Sequence, residues 1–186
     1  MLYYRPVSTN KISQRFGENL VPLYKQLGLL GHNGIDFGVH NEKVYWYGSG
    51  KGEVEAVKND YLGGIGLYII TEEDGHYFRH RFWHLKESKV QVGQVAESGD
   101  LIAISDNTGA GTTGSHLHAL DIKEVIRDSL GNWQSINKDN GYGGSIDPTP
   151  KFKNIFIGDY QNNLKGQIDI LGKLIELWKR LLKVDK

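Results

Sequence analysis

The sequence predicts a mainly β protein: an antiparallel β-sheet core with long loops, followed by one C-terminal amphipathic α-helix. Three observations carry that prediction. Short runs of β-branched and aromatic residues recur between about residues 53 and 123. Glycine supplies 24 of the 186 residues, roughly twice its usual share, and bounds those runs. From about residue 159 the turn residues thin out and apolar side chains fall at helical spacing.

Residues 1–50 read as irregular, punctuated by Gly17, Gly28, Gly31, Gly34, Gly38, Gly48 and Gly50, with one helical turn between Val21 and Leu30. Glu53 to Val57 alternates apolar and polar at period two, and Gly66 to Thr71 is β-branched and aromatic. Asp74-Gly75 separates that run from His76 to Leu85, the signature of a two-residue hairpin turn. Further strands are expected at about 89–95, 100–105 and 116–123. Residues 124–158 read as a long loop holding Asp139 to Gly144 and Asp147-Pro148-Thr149-Pro150.

Composition excludes several classes. Lys plus Arg and Asp plus Glu are both 22, so the net charge is zero, unlike the basic excess of a dedicated nucleic-acid binder. There is no cysteine, which removes disulfides, thiolate metal sites and cysteine nucleophiles. No apolar run reaches the ~18 residues of a membrane span, and Met1 to Pro6 lacks the apolar stretch of a signal peptide. The length fits one domain plus an appendage, divided as 1–158 and 159–186.

The seven histidines are the most informative feature. His116-Leu117-His118 puts two imidazoles on one face of a strand. Alone, such a pair reads more simply as a polar strand surface. Gly31-His32-Asn33-Gly34-Ile35-Asp36 sets a carboxylate four residues after a histidine, and its glycines favour a loop entering a strand, bent so that both side chains converge. Two imidazoles and a carboxylate match the three-ligand set of catalytic zinc, which leaves one position open for water. Co-occurrence sharpens the case: His-x3-Asp, then His84 on its own strand, then His-x-His.

In this the chain resembles the M23, or lysostaphin-like, zinc endopeptidases that cut peptidoglycan peptides. The matching stretches are Gly31 to Phe37, Phe82-Trp83-His84-Leu85, Val92-Gly93-Gln94-Val95, and Ser105 to Gly109 running on to His116-Leu117-His118, within about residues 10–123. The resemblance implies the antiparallel β-core of that peptidase type and one Zn2+ per chain held by His32, Asp36 and His118. It implies His84 and His116 as catalytic groups that do not ligate the metal, His116 as general base and His84 at the oxyanion or leaving amine. The implied partner is peptidoglycan and the implied location is the cell wall, periplasm or cell exterior. A cellular remodelling enzyme, a phage lysin and a secreted bacteriolysin would share the pattern. Departures from the family are Ser115 before His-Leu-His, Ala119 after it, and a longer Trp46 to Lys51 segment, all expected in the groove walls.

The remaining candidates take plainer readings. His80 shares the parity of His84 and is expected as a polar strand residue; His40 and His76 are expected exposed, and Arg79 and Arg81 on a solvated face. A non-catalytic wall-binding or activating module is the alternative function, against which all five site residues are present. Val90 to Ile102 also resembles the half-barrel of biotinyl or lipoyl carriers, but no matching lysine motif accompanies it.

Leu164, Ile168, Leu171, Ile175, Trp178 and Leu182 are spaced 4, 3, 4, 3, 4, a heptad seam. Ile170, Leu174, Leu177 and Leu181 form a second stripe, and cations outnumber acids six to three between Leu164 and Lys186. A helix of this length is marginal alone in water. It docks on its own β-domain, pairs with another copy, or lies on an anionic surface. The regular seam sets the expectation of a homo-oligomer or partner contact.

Overall fold

The computed structural model describes residues 1–181. In chain order its elements are β1 (Tyr3–Arg5), β2 (Ile12–Gln14), α1 (Leu23–Gln26), β3 (Ile35–Phe37), β4 (Lys43–Tyr45), β5 (Gly52–Asp60), β6 (Gly64–Glu73), β7 (His76–Ser88), β8 (Val95–Ala96), β9 (Leu101–Ser105), β10 (Leu117–Arg127), β11 (Trp133–Ser135), β12 (Ser145–Ile146), β13 (Phe152–Phe156) and α2 (Ile157–Leu181). One sheet runs β2-β3-β10-β7-β6-β5-β8, with β11 and β12 added on β10 and the β4–β9 pair joined through β7. Its pairings are antiparallel. β1 and β13 form a separate parallel pair.

The expected hairpin is present. Glu73 pairs with His76, and Asp74 and Gly75 both have positive φ, 53° and 80°. Two left-handed residues let the turn follow the twist of the strands. Trp46, Tyr47, Phe37, Phe82, Leu67, Ile69, Leu85 and Leu117 are fully buried together, each side chain contributing about 1.5–3 kcal/mol by leaving water. This core fixes β10 between β3 and β7, so that His118 lies opposite Asp36 on one side and Trp83 on the other.

Several expectations are corrected. Residues 89–94 are turns, and the strand there is only Val95–Ala96. The stretch 124–158 is not one loop, because β10 continues to Arg127 and β11, β12 and β13 follow. Trp46, Tyr47 and Ala119 belong to the core, not to groove walls. Arg79 pairs with Glu55, and Arg81 pairs with the buried Asp121. Neither arginine is simply solvated: Arg79 is held between Glu55 of β5 and the Trp133 carbonyl of β11, and Arg81 lies directly across the β-ladder from Asp121.

His80 is fully buried, its ring nitrogens 2.8 Å from the Tyr47 hydroxyl and 2.9 Å from the Thr71 hydroxyl. Burial holds its pKa down at about 3, so it is neutral. His40 and His76 are exposed, as expected. α2 starts on the buried Ile157, and Tyr160 stacks on Tyr4 with centroids 4.2 Å apart. Beyond this root, residues 162–180 face solvent. The last seam residue, Leu182, and the charges after it lie outside the described residues.

Candidate metal centre

His32 sits in the loop before β3. Its carbonyl accepts the Gly17 N–H at 2.8 Å and its own N–H donates to the Glu18 carbonyl at 2.8 Å. Asp36 is central in β3, and His118 follows the first residue of β10. Gly34 between the two motif residues acts by absence of bulk rather than by a left-handed bend. A Cβ there would lie 2.7 Å from the Ala119 carbonyl oxygen and 2.9 Å from the His118 ring. The glycine of this motif is therefore what lets β10 bring its histidine against β3.

The three side chains meet at one point. His32 Nε2 is 2.9 Å from His118 Nδ1 and 3.1 Å from Asp36 Oδ1, and His118 Nδ1 is 2.9 Å from Asp36 Oδ1. Ligands about 2.0 Å from a tetrahedral zinc stand about 3.3 Å apart, close to this triangle. The outer nitrogens decide the tautomers. His32 Nδ1 faces the Arg15 carbonyl at 3.2 Å, which can only accept. His118 Nε2 faces the Asp121 carboxylate at 3.4 Å. With protons on those outer atoms, two imidazole lone pairs and a carboxylate oxygen converge. In that tautomer a cation between them draws the three donors together; without one, a proton on His118 Nδ1 hydrogen-bonded to Asp36 Oδ1 takes its place, and backing acceptors of this kind orient imidazoles toward metals. The donor set fits zinc.

The electrostatics agree. Burial opposes charge on Asp36, but hydrogen bonds from His118 and His32 hold its carboxyl far below the usual range. Burial likewise opposes a charged His118, yet Asp121 and Asp36 raise its pKa to about 9. A buried site that draws a proton to its own imidazole in this way is one that a metal cation can occupy in place of that proton.

His84 and His116 flank the triangle. Their rings are 4.5 Å apart, and His116 Nε2 is 3.6 Å from Asp36 Oδ2. His84 Nδ1 donates to the Thr108 carbonyl at 2.9 Å, and His116 Nδ1 to the Gly114 carbonyl at 2.7 Å. Both rings are thereby turned so that Nε2 faces the cluster. Burial, with the neighbouring imidazoles, lowers the His84 pKa to about 4. His84 also has φ 61°, pinned by its N–H to the Gly63 carbonyl and by its own carbonyl to the Asp106 N–H, both at 3.0 Å. A non-glycine residue held in that region costs about 1–3 kcal/mol, a cost typical of functional sites. It also breaks strand alternation, which is why His80 points into the core while His84 joins the site.

All five residues predicted from sequence come together here. Asp121 was not anticipated. It accepts from His118 and from Asn33 Nδ2 at 3.2 Å, and pairs with Arg81. Its signal was a lone carboxylate in the otherwise aliphatic run Ala119 to Ile122.

The fold and this arrangement define a class: an antiparallel β-sheet protein with a two-histidine, one-carboxylate cluster. The sequence profile of Peptidase family M23 matches residues 30–142, and the chain belongs to that family. It is 33% identical over 146 residues to lysostaphin of Staphylococcus simulans, covering 76% of this chain and 28% of that one. The solved catalytic domain of that lysostaphin aligns with TM-score 0.54 at 24% identity, over 75% of this chain and 90% of the domain. The peptidoglycan DD-endopeptidase ShyA of Vibrio cholerae is 34% identical over 109 residues, 58% of this chain and 24% of ShyA. A zinc-containing peptidase from Vibrio cholerae aligns with TM-score 0.51 at 27% identity, over 67% of this chain and 36% of that one. The chain spans less than a third of the length of these curated relatives.

Proposed function

We propose that the chain is a zinc-dependent endopeptidase that hydrolyses stem or cross-bridge peptides of bacterial peptidoglycan. The observation that carries the reading is the convergence of His32 Nε2, Asp36 Oδ1 and His118 Nδ1, with both outer imidazole nitrogens tied to acceptors. His32, Asp36 and His118 would hold the zinc, which would supply a Lewis acid and lower the pKa of water toward about 7. His116 Nε2, beside Asp36, takes the proton of the attacking water. His84 enters neutral with its Nδ1–H locked on Thr108; its Nε2, in the ring 4.5 Å from His116, accepts the proton that His116 has taken from water and delivers it to the leaving amine. Residues 1–158 form the peptidase and residues 159–186 an accessory segment. Since the substrate lies outside the cytoplasm, the chain acts in the wall, the periplasm or the medium.

The test is incubation of the zinc-loaded full chain with purified peptidoglycan, followed by mass spectrometry of the soluble fragments. Peptides with new amino termini, absent after chelation and restored by zinc, are expected. Zinc binding and wall binding with no new termini would instead establish a non-catalytic wall-binding module.

A further inference from the structure

We infer that α2 is a surface anchor for anionic lipid bilayers. The helix leaves the β-domain after Tyr160, and its large apolar side chains are uncovered: Ile168, Leu171, Ile175 and Trp178 are 56–69% exposed. Such a face needs a cover, and the charge pattern says which. Projected at about 100° per residue, the apolar residues from Leu164 to Trp178 fill roughly half the circumference. Asp169 and Glu176 fall at the centre of the polar half. Lys179 and Lys173 lie nearest the two borders of the apolar half, about 20° and 40° outside it, with Lys165 and Arg180 between them and the acids.

Cations at both borders suit a helix lying in a membrane interface. Their aliphatic stems follow the apolar face down while the charges reach anionic headgroups, and the acids point away into water. A coiled-coil partner fits less well. The seam is flanked by lysines at Lys165 and Lys179 on one side and by Gln167 and Leu174 on the other, so a second copy brings no acid to meet those lysines. The apolar half is also wider than a two-stranded seam. No helix among the described residues is long and apolar enough to cross a membrane, so the helix lies on the bilayer.

The experiment is sedimentation of the full chain with vesicles of pure phosphatidylcholine and with vesicles containing phosphatidylglycerol. Binding to the anionic vesicles alone is expected, with a blue shift of tryptophan emission that Trp178→Phe abolishes. Reversing Lys165, Lys173, Lys179 and Arg180 to Glu should weaken partitioning about tenfold or more while leaving the zinc content unchanged. No binding to anionic vesicles, or equal binding to both kinds, would overturn the inference. So would a stable dimer by light scattering that persists with anionic vesicles and keeps Trp178 from shifting.

Discussion

His32 Nε2 and His118 Nδ1 face each other at 2.9 Å while their outer nitrogens are held by the Arg15 carbonyl and the Asp121 carboxylate. These donor atoms and Asp36 Oδ1 converge only in the folded chain, so a metal that binds only the folded chain should stabilise it. Zinc at about a thousand times its Kd adds about 4 kcal/mol, or roughly 8–16 °C in melting temperature for a chain of this size. Calorimetric scans with zinc and with chelator check this.

The flanking histidines should separate from the ligands. In His84→Ala and His116→Ala the three donor atoms remain, so metal content should stay near the parent value. Turnover on peptidoglycan peptides should fall by roughly 10²–10⁴. Metal analysis alongside a peptide-cleavage assay reads both quantities. Loss of metal from His116→Ala would show that it belongs to the ligand set.

Gly34→Ala adds one methyl group where only 2.7–2.9 Å is available against Ala119 and the His118 ring. The backbone there is not left-handed, so the effect is steric rather than conformational. We expect the variant to fold but to bind zinc at least about tenfold more weakly, through displacement of His118. Titration calorimetry measures this, and an unchanged affinity would show that β3 and β10 separate freely.

His80 makes the fold sensitive to acid. Its pKa is about 3 in the folded chain and about 6.5 unfolded. Between those values the unfolded chain binds more protons, so stability is full above pH 6.5 and falls as pH drops toward 3. The loss at pH 5 is about 2 kcal/mol. Urea unfolding between pH 7 and 5 should show this slope in the parent and a slope shallower by that amount in His80→Gln, which keeps polar partners for Tyr47 and Thr71.

The candidate cluster was legible as two local signals, His32 and Asp36 four residues apart and His116 and His118 two apart, and it was the resemblance to the M23 family that joined them into one site. The Asp74-Gly75 hairpin was legible as a local signal too. What sequence could not supply were facts of register. Arg81 and Asp121 are forty residues apart and become a buried pair only because β7 and β10 align them. The parity of His80 and His84 looked shared because the left-handed φ of His84 has no sequence marker. Trp46 and Tyr47 looked like groove residues in a glycine-rich stretch, and only the packing of β6 and β7 over them makes them core. The late strands β11 to β13 are two to five residues long, too short for alternation to register.

The measurement that bears most directly on the central claim is equilibrium dialysis of the metal-free full chain against zinc, followed by metal analysis. One zinc per chain is expected for the parent, for His84→Ala and for His116→Ala, and close to none for His32→Ala, Asp36→Ala and His118→Ala. A parent that retains no zinc, or a His118→Ala variant that retains a full equivalent, would contradict it.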